Sequence, residues 1–257
     1  MYPYLFGNDK IPMYGVCFGI GIAAALLLLL FYIPKRSRIK KDDLLYGSCF
    51  ALIGAIVGAK LLCVLLNIKI IIAVKPSLYD VLKNGFVFYG GLIGGFLGYL
   101  IYSLCYKLDV IDFTDAASQV VPLGHAIGRV GCFCAGCCFG RPTDSILGVI
   151  YTHPTDPSTP IRVKLLPTQL FETGYDLILF VILFALNFKK PQKKGVNTTI
   201  YVVGYAVCRF INEFFRYDAE RGFLLGLSTS QWISILLVIS ILTYWVIIKA
   251  KKQKEII

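Results

Sequence analysis

An all-α polytopic membrane protein is the fold class this sequence predicts, on three observations. First, 57% of its 257 residues are hydrophobic and only 16% are charged, with a mean hydropathy of +0.71, a balance typical of bilayer proteins rather than water-soluble domains. Second, the apolar residues gather into seven stretches, each near the ~20 residues that a helix needs to cross about 30 Å of hydrocarbon. Third, the lysines and arginines behind the net charge of +11 fall in short clusters between those stretches and form no single basic domain. That distribution is better read as topology than as a nucleic-acid surface, and no nucleic-acid partner is expected.

Taken in order, the stretches are 11–33, 43–67, 86–106, 114–131, 167–188, 198–215 and 228–248. No basic segment precedes the first, and its apolar run is long enough to span, so it is expected to stay in the mature protein and not to be cleaved. The fourth carries Asp115, Gln119, Pro122, His125 and Arg129. A lipid-exposed helix does not tolerate such interruptions, so an interior helix is expected there. Residues 132–166, with Arg141, Pro142, Thr143, Asp144, Pro154, Pro157 and Pro160, form the longest outside connection. They are expected to make a small extracytoplasmic head between helices four and five, inserted in a single integral membrane domain over 1–257.

Charge sets the orientation. Lys35, Arg36, Arg38, Lys40 and Lys41 follow the first stretch, Lys189, Lys190, Lys193 and Lys194 the fifth, and Lys249, Lys251, Lys252 and Lys254 the seventh. If seven spans alternate, these share one side with Lys107, giving fourteen basic residues against nine in the opposite loops. Excess Lys and Arg mark cytoplasmic loops. The N-terminus is therefore expected outside and the C-terminus in the cytoplasm.

With that orientation, the rise of 1.5 Å per residue assigns each in-span polar group a depth. Arg129 falls roughly 22 Å above the start of its span, near the outer edge of the hydrocarbon. Arg209, Glu213 and Arg216 recur at i, i+4 and i+7, on one helical face. Lys60 lies in the outer third of its span, while Tyr14, Tyr89 and the Gln169/Glu172 pair open theirs. Taken singly, these have plain readings: Lys60 snorkels, Arg209 and Glu213 pair within their helix, and His125 is an interior histidine. Taken together, Arg129, Arg216 and Glu172 point to function, because charges inside membrane spans are costly. A cationic cavity at outer-leaflet depth suits a phospholipid head group, since guanidinium meets phosphate as a bidentate fork.

The glycines of YGGLIGGFLG, Gly90, Gly91, Gly94, Gly95 and Gly98, form overlapping G-x-x-x-G steps that favour close helix packing. Gly90 and Gly91 would equally let backbone approach a ligand beside Tyr89. Most of the nine cysteines lie in spans as small apolar fillers. Cys132, Cys134, Cys137 and Cys138 emerge at the outer face, where packed thiols, a disulfide and a metal site are all chemically open. The spacing C-x-C-x-x-C-C matches no zinc pattern, and no metal is expected. A tie between Cys132 and Cys137 would brace the loop behind Arg129. No nucleotide, flavin or haem motif occurs, and no cofactor is expected.

In order along the chain, MYG at 13–15, GAK at 58–60, FYGGLIGG at 88–95, GRVG…GCCFGR at 128–141, PTQLFE at 167–172 and RFINEFFR at 209–216 resemble the prolipoprotein diacylglyceryl transferases of bacterial membranes. The resemblance runs over nearly the whole chain. It implies transfer of diacylglycerol from phosphatidylglycerol to the lipobox cysteine thiol of a prolipoprotein signal peptide, forming a thioether in the bacterial plasma membrane. Carried over by position, the family's lipid-phosphate arginine falls on Arg129, its second indispensable arginine on Arg216, its N-terminal tyrosine on Tyr14, its signature glycine on Gly140 and its Q-L-aromatic-E motif on Gln169 and Glu172. Tyr89 stands where the family has histidine, Cys132 where it has asparagine, Cys137 where it has glutamate, Lys60 where it has arginine, and Leu166 where histidine is common.

The expected catalytic set is thus Arg129 holding the lipid phosphate, Arg216 meeting charge that develops on it, and Tyr89 positioning or Glu172 accepting the thiol proton. Substrate binding is expected from Arg129, Tyr14, Lys60, Gly90, Gly91, Gly140, Gln169, Arg209 and Glu213. An anionic-lipid transporter would also want buried arginines, but it should show internal repeats, and none is evident. A non-catalytic, lipid-binding paralogue is the other alternative.

Overall fold

The structure, a computed structural model, describes residues 3–5, 11–74, 76–83, 85–188, 190–217 and 222–254. Lys189 of the fifth-span basic cluster lies outside them. The described chain is overwhelmingly helical: α1 (Met13–Phe31), α2 (Lys41–Leu66), α3 (Ile68–Val74), α4 (Leu78–Lys83), α5 (Phe88–Tyr106), α6 (Val110–Ala117), α7 (Val121–Ala135), α8 (Thr168–Leu186), α9 (Val196–Glu213) and α10 (Thr229–Lys254). Four helices are both long and apolar enough to cross a membrane: Met13–Phe31, Lys41–Leu66, Thr168–Leu186 and Thr229–Ala250. The chain is a helical membrane protein.

Two differences from the sequence reading have plain causes. The stretch 114–131 is not one helix but two, α6 and α7, parted at Ser118–Val120. Pro122 occupies the first turn of α7, where its missing N–H is harmless, and without that N–H it cannot bond back to the Ser118 carbonyl to continue the α6 ladder. The fold is also not purely helical. Short antiparallel ladders join β1 (Val149–Ile150) to β2 (Lys164–Leu165) and β3 (Phe223–Leu224) to β4 (Leu227–Ser228).

The chain forms two compact units, Leu30–Thr114 and Met1–Leu29 with Asp115–Ile257. Within the first, α2 and α5 pack through glycines. A Cβ added at Gly58 or Gly94 would collide with backbone of the partner helix, as would one at Gly54, Gly90 or Gly98. In lipid, where no hydrophobic force drives helices together, such close approach lets van der Waals contact do so. The Tyr99 ring stacks on Phe113 at 3.7 Å, and Tyr102 donates to Asp43 at 3.2 Å.

In the second unit α7 packs on α8, α8 on α9 and α9 on α10. The α8 residues Gln169, Glu172, Asp176, Leu179 and Leu183 are all buried. Their spacing of three, four, three and four residues draws one stripe down the helix, polar in its first two turns and apolar below. Asp115 accepts from the N–H of Gly195 at 2.7 Å and of Thr198 at 2.9 Å, and from the Thr198 hydroxyl at 2.8 Å. A carboxylate is thereby set at the positive end of α9. In the connection after α7, Phe139, Tyr151 and Leu165 form a small core, and the Thr159 hydroxyl donates to the Gly136 carbonyl at 2.7 Å.

Candidate functional site

The polar stripe of α8 faces charged residues from α7 and α9, and the Glu172 carboxylate, 2% exposed, is the point they share. Arg129 Nη2 lies 2.9 Å from Glu172 Oε1, and Arg209 Nη1 lies 3.3 Å from Oε2. Tyr205 donates its hydroxyl to Oε1 at 3.1 Å. Arg209 also reaches Glu213 Oε2 at 2.9 Å and the Ser230 hydroxyl of α10 at 3.1 Å. A carboxylate buried this deeply is sustained only by such pairing. Arg129 spends one end of its guanidinium on Glu172 while its Nε has no hydrogen-bond partner among the described residues.

His125, one turn before Arg129 on α7, stands between two α8 carboxylates. Its Nδ1 lies 3.1 Å from Asp176 Oδ2 and its Nε2 3.7 Å from Glu172 Oε1. From the sequence His125 reads as an interior histidine, and neither Asp176 nor Tyr205 stands out there. The signal for Asp176 was present, because it continues the face of Gln169 and Glu172 by one further turn.

Arg216 follows the end of α9, and its backbone pairs antiparallel with Gly140. Around that bridge, Gly140 donates to Leu166 O at 2.9 Å, Arg141 to Phe215 O at 2.9 Å and Tyr217 to Phe139 O at 3.2 Å. Gly140 is clamped, since a Cβ there would sit 2.7 Å from Phe215 O and 2.8 Å from Leu166 O. Its place is to let two backbone segments close on either side and so set Arg216. Gly140→Ala should cost about 1–3 kcal/mol by overpacking, read as a lower thermal midpoint of the detergent-solubilised protein. An unchanged midpoint would show that the clamp yields freely.

Gln169, 1% exposed, serves the same loop, donating from Nε2 to Cys137 O at 2.6 Å and accepting from Tyr151 at 3.2 Å. Tyr14 of α1 lies beside α7, its Cα 3.2 Å from where a Gly131 Cβ would stand, and its ring stacks on Phe18. Arg129, Glu172, Arg209 and Glu213 are thus joined in one chain of ion pairs, with Gln169, Tyr14, Gly140 and Arg216 in the same unit. Lys60, Tyr89, Gly90 and Gly91 belong to the other unit. There Lys60 donates to Gly85 O at 2.9 Å and covers the Phe86 ring at 4.6 Å, and Gly90 packs on Gly58 and Leu62 of α2. The expected tie between Cys132 and Cys137 is not formed. Both are thiols, with Cys137 Sγ 3.7 Å from the Cys132 carbonyl.

A family model described as prolipoprotein diacylglyceryl transferase matches residues 3–247. Among similar curated proteins, the phosphatidylglycerol–prolipoprotein diacylglyceryl transferase of Clostridium tetani is 39% identical over 238 residues, covering 91% of this chain and 92% of that protein. A second enzyme of that name from Clostridium perfringens is 36% identical, covering 96% and 94%. The Legionella pneumophila (strain Corby) protein is 31% identical, covering 94% of each. Similarity of this extent over almost the full length of both partners, on a helical membrane fold with buried charged residues, means that the chain belongs to the prolipoprotein diacylglyceryl transferase family.

Proposed function

We propose that this protein moves the diacylglyceryl group of phosphatidylglycerol onto the lipobox cysteine thiol of a prolipoprotein, forming a thioether and releasing glycerol phosphate. The observation that carries the reading is the buried Arg129 guanidinium, held at Nη2 by Glu172 and at Nη1 by Cys132 Sγ, with an Nε that has no hydrogen-bond partner among the described residues. The reaction is a displacement at the glycerol C3 carbon, so the leaving phosphate gains charge and the thiol must lose its proton. Arg129 holds the phosphate, and Arg216, positioned by the Gly140 clamp, meets the charge that develops on it. Glu172 orients Arg129 and Arg209, Gln169 braces the loop at Cys137, and Tyr14, Arg209 and Glu213 complete the lining. For Lys60, Tyr89, Gly90 and Gly91 the support is the family resemblance, and substitution of each in the assay below tests it.

His125 is the better proton acceptor than Glu172, which already serves two guanidiniums and a phenol. Asp176 at Nδ1 orients the ring and, with Glu172 near Nε2, stabilises the imidazolium formed when Nε2 takes the thiol proton. His125→Ala should lower turnover about 100- to 10,000-fold, with the loss partly regained at higher pH, where the peptide thiol ionises unaided. Asp176→Asn should lower turnover with little change in the Michaelis constant. A His125→Ala protein with ordinary turnover would return the base role to Glu172 or Tyr89.

The topology we infer has seven crossings, α1, α2, α5, α6 with α7, α8, α9 and α10, with the N-terminus outside, the C-terminus in the cytoplasm and residues 132–166 as an extracytoplasmic head in one membrane domain. It is supported by the loop charges and tested by cysteine accessibility from each side of the membrane. The decisive assay for function incubates the purified protein with labelled phosphatidylglycerol and a lipobox peptide. A transferase makes the thioether, whereas a lipid transporter or a non-catalytic binder leaves the peptide unmodified.

A further inference from the structure

The thiols of Cys132, Cys137 and Cys138 take no part in the reaction described above, yet their three sulfur atoms all lie within 4.8 Å of one another. Chain geometry holds them there. Cys132 lies in the last turn of α7, 8% exposed, and Gly136 ends that helix in the left-handed conformation at φ 78°, turning the chain back as helix C-termini commonly do. Cys137 then returns its N–H to the Cys132 carbonyl at 3.2 Å. Cys138 sits at φ 60°, a left-handed conformation that a side chain other than glycine adopts only at a cost. That conformation persists because buried groups pin the loop. The Cys137 carbonyl accepts from Gln169 Nε2 at 2.6 Å, and the Cys138 carbonyl accepts from Thr168 Oγ1 at 2.8 Å.

A cation lies against the trio. Arg129 Nη1 lies 3.9 Å from Cys132 Sγ, and a cation beside a thiol favours the thiolate, which is the ligand form. Three sulfurs ranged evenly about one cation at ~2.3 Å would stand about 4.0 Å apart, inside the spread observed here. No imidazole or carboxylate joins this trio among the described residues, so the donor set is soft throughout.

We propose that Cys132, Cys137 and Cys138 form a three-sulfur site for a soft monovalent d10 cation, Cu(I). Thiolate donors select Cu(I), whereas structural zinc asks for a fourth protein ligand to close its tetrahedron. Three S–H groups give up their protons to solvent and three S–Cu bonds form, with no change in oxidation state. The site rests on the loop geometry and the neighbouring Arg129, and it does not depend on the transferase reading.

The test uses the full-length protein in detergent under reducing conditions, with Cu(I) offered from a chromophoric chelator. One equivalent should transfer to the protein. In a Cys132→Ser, Cys137→Ser, Cys138→Ser variant of unchanged helical signal, affinity should fall by at least about 100-fold, the upper end of what loss of a mere supporting group costs a metal site. Cys134→Ser should bind as the parent does. Should the triple variant misfold, alkylation mapping of the parent protein decides the matter, since Cu(I) should shield Cys132, Cys137 and Cys138 and leave Cys134 reactive. Failure to take up one equivalent, uptake that survives the triple change, or shielding of other cysteines overturns the site. Equal or tighter retention of Zn²⁺ overturns the choice of Cu(I).

Discussion

Arg129→Ala should reduce thioether formation at least about 100- to 1,000-fold, the range for removing one preorganised donor from a site where negative charge grows, and it should do so without unfolding the protein. The second half follows from the pairing around Glu172. With Arg129 gone, that carboxylate keeps Arg209 at 3.3 Å and the Tyr205 hydroxyl at 3.1 Å, so no uncompensated buried charge is created. Arg129→Lys separates two properties of the side chain. Lysine restores the charge but not the planar fork that grips two phosphate oxygens and a carboxylate together, so it should recover only a fraction of the rate. Purified variants assayed with labelled phosphatidylglycerol and a lipobox peptide give the answer directly. A lysine variant as fast as the parent would mean that Arg129 contributes charge alone, and a fully active alanine variant would remove it from the reaction.

Glu172→Gln should be damaging in a different way, lowering stability and turnover together. Glutamine keeps the volume and can still accept from Tyr205, but it removes the charge that both Arg129 and Arg209 face. Leaving one partner of a buried pair unmatched costs about 3–5 kcal/mol in soluble proteins. Here Arg209 retains Glu213 at 2.9 Å, whereas Arg129 loses the contact that holds its Nη2. The thermal midpoint in detergent should therefore drop clearly, and the surviving folded protein should turn over at least about 100-fold more slowly because Arg129 no longer points one way. A variant with an unchanged midpoint and ordinary turnover would show that the three-sided pairing at Glu172 is dispensable.

These two residues differ in how openly the sequence displays them. Arg129 is conspicuous because a permanent charge inside an apolar segment is expensive and therefore noticed. Glu172 and Gln169 are visible as polar residues opening an apolar helix, and the same face extended by one turn includes Asp176. Nothing local distinguishes His125 as a histidine set between two carboxylates, since both of its neighbours come from another helix. Gly140 reads as one more loop glycine until Phe215 and Leu166 are seen to crowd it from either side.

By itself the sequence determined that the chain is a helical membrane protein and which charged residues lie within its apolar segments, since hydrophobic length and the cost of buried charge are properties of single segments. Tertiary structure alone decided that Glu172 gathers Arg129, Arg209 and His125, and that Phe215 and Leu166 close on Gly140. Each of those outcomes depends on distances between segments remote along the chain, and such distances are set by packing and by the pairing of buried polar groups, not by any periodicity a linear sequence can carry.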